Sequence, residues 1–262
     1  MMPLFSPSGP QAGSGAMSPN PLTENPGVPA MTSSAAKTFF LCLTFLALGV
    51  ALPQPCLAVP VASCHCFQNR EYNPADKFVA DDYILATTFN SLIAAAYNIP
   101  KRQVVMLKMK GGVGQGDLLL GLAIARAGKA DLEQLLEQRQ QKGAWRTVLA
   151  APGLAGAAQN EPLLAVILSG LAEERAAEMA ASALLVSFFR VGDKLVSELR
   201  ADGLDGREMA LALVLARAGG KEVRKLAALH VKAGQSWSEI AHGLGIEPAT
   251  AGTLVSSLGP GR

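Results

Sequence analysis

The sequence predicts an all-α protein in which short, glycine-punctuated helices form two tandem pseudo-symmetric repeats around one core. Composition is the first reason. Half of the 262 residues are hydrophobic and only 5% are aromatic, with alanine, leucine and glycine dominant. Alanine and leucine are strong helix formers, and the β-branched and aromatic runs that mark strands are scarce. The second reason is a recurrence. "LAIARAG", Leu122 to Gly128, returns as "LVLARAG", Leu213 to Gly219, a shift of 91 positions. The third is punctuation. Gly128, Gly219, Gly143 and Gly234 each follow an apolar-periodic run, where glycine in the left-handed conformation ends a helix.

The chain opens on a segment of another kind. Residues 1–63 read as a disordered extension followed by a signal peptide. The first 36 residues are rich in Pro, Ser and Gly, with one acid and no base, a composition that cannot build a core. Lys37 then precedes an apolar run, 39–52, bounded by Pro53. A base, a short apolar stretch and small residues behind it make an export signal, and the run falls short of the roughly 20 residues that span a bilayer. Met31 is the expected start, because "MTSSAAK" supplies an ordinary basic leader, with Met1 the other candidate. Cleavage is expected after Ala58 or Ser63. "VASC", Val61 to Cys64, resembles the lipobox of bacterial lipoproteins, which would place a lipid on Cys64, although Pro53 and Pro55 separate it from the apolar run.

A linker, 64–75, follows and carries the cysteines of the processed chain. Cys64, His65 and Cys66 are ligand types that zinc and copper accept. A closed zinc site needs four ligands, and His230 and His242 lie far away in sequence. A disulfide or a lipid anchor is the expected role, and no cofactor is expected.

Residues 76–160 form the first repeat copy and 161–262 the second, with a long helical lead. "YILATTFNSLIAAAYNIP", Tyr83 to Pro100, heads the first copy and matches the second half of the segment Glu161 to Gly192, with Leu92 opposite Leu184 and Tyr97 opposite Phe189. That segment reads as two helices or one kinked helix, with Pro162 in its first turn. Val104 and Leu107 match Val196 and Leu199, and Gly111 matches Gly203. "GGVGQGD", Gly111 to Asp117, reads as a flexible turn whose Asp117 caps the next helix. It lacks the lysine and hydroxyl of a phosphate-binding loop. Leu132, Leu135 and Leu136 match Val223, Leu226 and Ala227 at amphipathic spacing, and Arg139 stands where the second copy has His230. A position that takes both is the rim of a core. One inserted residue then sets Trp145 opposite Trp237, two core plugs or paired contact residues.

"SWSEIAHGLGI", Ser236 to Ile246, resembles the front of a DNA-reading helix-turn-helix, with Ser236 and Glu239 as a capping box. Binding DNA needs Lys and Arg for phosphates and Arg, Lys, Asn or Gln for bases. After Lys232 the chain has neither Lys nor Arg until Arg262, and the formal charge is +2 with or without the first 63 residues. Nucleic acid is therefore excluded as an expected partner. Glu173, Glu174 and Glu178 gather on one helix, but acid–base work needs a desolvated member, and Arg175 and alanines around them predict a solvated face. No nucleophile elbow or H-E-x-x-H occurs, and three histidines are all the chain holds. The expected protein is not an enzyme. It is an exported, periplasmic or surface, interaction or assembly protein that engages an unidentified protein or envelope component and meets the membrane only through its signal segment or a lipid on Cys64. The alternative is a metal or redox protein built on Cys64, His65 and Cys66, and a weaker one is a hydrolase using the glutamate cluster.

Overall fold

Alanine-rich segments cut by glycine and proline become helices throughout the computed structural model, which describes residues 67–156 and 161–258. The signal segment, both cleavage positions and Cys64, His65 and Cys66 lie outside the described residues. The first run of helices is α1 (Asp81–Tyr97), α2 (Lys101–Lys110), α3 (Gln115–Gly128), α4 (Leu132–Lys142), α5 (Trp145–Leu149), the single-turn α6 (Pro152–Ala155) and α7 (Pro162–Leu168). The second is α8 (Glu173–Phe189), α9 (Asp193–Ala201), α10 (Gly206–Gly219), α11 (Val223–Val231), α12 (Trp237–Gly243) and α13 (Pro248–Ser257). Among the described residues the sole β feature is an isolated bridge between Asn73 and Asp76. The all-α expectation holds, and Pro162 opens α7 at its first turn. No helix of the described residues is long and apolar enough to cross a membrane.

The two runs share lengths and neighbours. α1 and α8 have 17 residues each, and α3 and α10 have 14 each. α3 packs against α8, and α10 packs against α1, so each run supports the long helix of the other. A single apolar cluster joins them, with Trp145, Trp237, Phe89 and Phe189 as its largest buried members.

Helix ends follow local chemistry. Asp131 accepts from Gln134 N at the start of α4, and Asp205 with Glu208 forms a reciprocal capping box on α10. Ser236 caps α12 by accepting from Glu239 N, but the returning arm of the expected box is absent, because the Glu239 carboxylate pairs with Lys77 at 2.6 Å. Gly143 is left-handed after α4, and Gly234 is left-handed beyond α11, as expected. Gly128 and Gly219 correct the expectation. Each is the last helical residue, and the left-handed position falls one step later, on Lys129 and Gly220. Their small size serves packing instead. A Cβ on Gly128 would lie 2.7 Å from Leu154 Cδ2, and one on Gly219 would lie 3.0 Å from Leu244 Cδ2.

α1 is buried on nearly all sides, through Ile84, Leu85, Thr88, Phe89, Leu92 and Ile93, as befits a helix apolar all round. α13 lies along it. Gly252 makes that approach possible, since a Cβ there would meet Thr87 Oγ1 at 2.9 Å and both Lys101 Nζ and Ser91 Oγ at 3.0 Å. Thr88 is the exception to a well-satisfied interior. Its Oγ1 is the buried side-chain polar atom left without a hydrogen bond among the described residues, and Ala180 occupies the same step of α8.

Urea unfolding measures both features. Gly252→Val should lower the unfolding free energy by about 1–3 kcal/mol through overpacking, whereas Gly243→Ala, which points into open space within a helix, should raise it by about 0.4–1 kcal/mol. Thr88→Val removes an unpaired hydroxyl while keeping the shape, and should raise stability by roughly 1 kcal/mol.

Candidate functional site

Trp145 and Trp237 are both fully enclosed, and each carries two N–H donors that burial would leave costly if unpaired. One is the indole. The other is the backbone N–H at the first position of a short helix, which has no partner within its own helix. For Trp145, Asp117 Oδ1 accepts from the indole at 2.7 Å and Glu173 Oε1 accepts from the backbone N–H at 2.6 Å. Arg139 binds both carboxylates, from Nε to Asp117 at 3.1 Å and from Nη2 to Glu173 at 2.6 Å. Its Nη1 donates to the carbonyl of Gly143, and its guanidinium lies 6.0 Å from the Trp145 ring.

The same roles recur at Trp237. Glu208 Oε1 accepts from its indole at 3.3 Å, and Asp81 Oδ2 accepts from its backbone N–H at 2.9 Å. Asp81 Oδ1 also takes Ser238 N and Ser238 Oγ, each at 2.8 Å. His230 stands in Arg139's place. Its Nε2 lies 3.2 Å from Glu208, its Nδ1 lies 2.7 Å from the carbonyl oxygen of Gln235, and its ring stacks on Trp237 at 4.5 Å. In both clamps the indole carboxylate comes from the first turn of α3 or α10, and the backbone carboxylate is the first residue of the other run's long helix.

The carboxylates singled out in the sequence therefore separate. Glu173 leaves the expected solvated face, because the Trp145 amide and Arg139 draw it inward to 28% side-chain exposure. Glu178 accepts from Arg175 at 2.9 Å and lies 3.7 Å from Arg200. Glu174 is exposed and lines a 410 Å³ cleft between α3, α8 and α9 with Arg175, Glu178 and Arg200. Asp117 is not a cap. Gly114 holds the cap position of α3 without a side-chain bond, and Asp117 turns to Trp145. His230 belongs to the core rim as expected.

The sequence reading missed Asp81 and Glu208. A signal was available: carboxylates occur at both matched pairs, Asp81 with Glu173 and Asp117 with Glu208, although their flanking residues differ. Two lysines also sit closer to the core than charge would suggest. Burial lowers the pKa of Lys101, and burial followed by the nearby Arg207 lowers that of Lys108. Lys101 donates to Thr87 Oγ1 at 2.8 Å, and Lys108 to Asn90 Oδ1 at 3.3 Å.

A second concave surface is apolar. The 380 Å³ groove between α2 and α4 is lined by Met106, Leu107, Val113 and Leu136. Gln103 bonds Glu133 at one end, and Gln140 bonds the Gly111 carbonyl at the other, both at 3.4 Å. Met109, on α2, is 41% exposed.

Removing a clamp carboxylate leaves a buried donor unpaired. Glu173→Ala and Asp81→Ala should each lower stability by about 1–3 kcal/mol, while Glu174→Ala should stay within about 0.5 kcal/mol. Tryptophan emission during denaturation reads the two clamps separately once Trp145→Phe or Trp237→Phe has silenced one reporter.

Compared with family models, with curated proteins and with solved structures, the chain has no match.

Proposed function

We propose that this chain is an exported interaction or assembly protein, built from two copies of one helical unit, that binds a protein or envelope component through the α2–α4 groove. The groove itself carries the reading. Methionine adapts its shape to a partner and is enriched at interfaces, and Met106 lines this groove. Polar bonds from Gln103 to Glu133 and from Gln140 to the Gly111 carbonyl tie its two walls together.

The two-copy organisation is supported by the equal lengths of α1 and α8 and of α3 and α10 and by the two clamps with the same four roles. On this reading the second copy begins at α8 and the first ends with α7. Of the groups that the sequence offers for chemistry, Glu173 and His230 are engaged in those clamps and Glu178 is paired with Arg175. That favours binding over catalysis as the working mode. Export is supported by the Lys37 leader and the apolar run 39–52.

Two measurements test the proposal. Fusing residues 31–66 to a reporter that is active only outside the cytoplasm should give activity, and an inactive fusion would remove export. A photo-reactive residue at position 106 of the whole protein, irradiated in intact cells, should label one envelope component. The same residue placed at Arg190, a helix end far along the sequence, should not, and equal labelling from both places would remove the groove.

A further inference from the structure

We infer that the α2–α4 groove is the interface of a two-fold dimer, in which α2 of each chain lies on α4 of its partner. The inference rests on the groove being the working surface, and it names a second copy of this chain as the occupant.

The other run shows how such a gap is closed from within. On the two-copy reading α9 and α11 are the counterparts of α2 and α4, and Arg224 of α11 donates from Nε to Glu198 of α9 at 3.0 Å. In register with Leu107 opposite Leu199, and with Leu132 opposite Val223, Met106 falls opposite Glu198 and Glu133 opposite Arg224. An apolar thioether and a carboxylate cannot form that ion pair. Between α2 and α4 there is instead a 380 Å³ groove lined by Met106, Leu107, Val113 and Leu136.

Charge divides this face in two. α2 carries Lys101, Arg102, Lys108 and Lys110 and no acid. Lys101 and Lys108 turn to Thr87 and Asn90. Arg102, Met106, Met109 and Lys110 follow the i, i+4, i+7, i+8 spacing of one helix face, and of these Met106 is half-buried and the others are exposed. Across the groove, α4 presents Glu133 and Glu137, which accept from the neutral amides of Gln103 and Gln141. Among the described residues, none of Arg102, Lys110, Glu133 and Glu137 has an ion-pair partner. A cationic helix thus lies beside an anionic one, with apolar side chains between them.

That division selects both the partner and its orientation. An anionic lipid surface would suit α2 but would press on the carboxylates of α4. A two-fold interface must be self-complementary, and a face split into opposite charges meets that condition. α2 and α4 run in the same direction, since Gln103 bonds Glu133 at one end and Gln140 bonds the Gly111 carbonyl at the other. A two-fold axis along the groove therefore lays α2 parallel to the partner's α4. It brings Arg102 towards the partner's Glu133 and Lys110 towards the partner's Glu137, and it closes the apolar strip around Met106. An axis across the groove would set α2 on α2 and oppose like charges, which disfavours it.

Sedimentation of the whole protein at micromolar concentration is the test. The natural chain should sediment at twice its chain mass, and its dissociation constant should rise with added salt. Arg102→Glu with Lys110→Glu, or Glu133→Lys with Glu137→Lys, should each raise that constant by about 100-fold, with helix content by circular dichroism unchanged. An equimolar mixture of the two double variants should restore the dimer, a rescue that misfolding cannot mimic. A monomeric natural chain, or a dimer indifferent to both reversals, would overturn the inference. The photo-reactive residue at position 106 separates this partner from the broader reading. An adduct of twice the chain mass is expected, the labelled component being this chain itself. An adduct with another protein or with lipid overturns the second copy and leaves the groove as a binding surface, and no adduct overturns both.

Discussion

Two enclosed indoles, each with a pair of polar hydrogens to place, set the terms for everything around them. Water cannot reach Trp145 or Trp237, so their donors must find acceptors inside the protein. The acceptors are carboxylates, which brings negative charge against the core, and the negative charge in turn requires a cation. Arg139 meets that need in one clamp, and His230 lies in the same position in the other. Hydrogen bonds to charged groups contribute about 1.5–3 kcal/mol each, and each clamp contains at least two.

The clamps also explain how the helices close on one another. Glu173 begins α8 and binds the start of α5; Asp81 begins α1 and binds the start of α12. Asp81 and Trp237 stand 156 residues apart in sequence. Each long helix is thus tied by its first residue to a short helix of the other run, where the short helix has unpaired amides to offer. Between those ties, packing is set by small residues. Gly252 lets α13 press on α1, and Gly128 and Gly219 let Leu154 and Leu244 approach α3 and α10. The face of α8 is less covered, and Met179 there remains 40% exposed.

This division has a functional consequence. Charges placed in the clamps organise the interior, while the concave surfaces include the apolar groove of α2 and α4, where Met106 lies, and the charge-lined cleft beside α8. The cleft's Glu178 and Arg200 are already engaged with their neighbours, Arg200 also donating to Ser182 Oγ at 2.8 Å. In the groove Met106 and Leu107 are only partly buried, which is why it anchors the proposed binding function.

Much of this architecture is legible in the amino-acid order because it rests on short-range rules. Alanine and leucine favour helices, Pro162 opens one, Gly143 and Gly234 stand where left-handed residues follow a helix, and the two segments of the 91-position recurrence both end helices of 14 residues. Other features depend on groups brought together from afar. Nothing beside Gly128 in sequence announces Leu154, nothing near Asp117 announces Trp145, and the inward turn of Glu173 depends on an amide 28 residues earlier. Local periodicity determined that helices form and where they stop. Tertiary structure alone decided which carboxylates leave solvent, because desolvation is set by what surrounds a side chain in space, and neighbours along the chain do not reveal it.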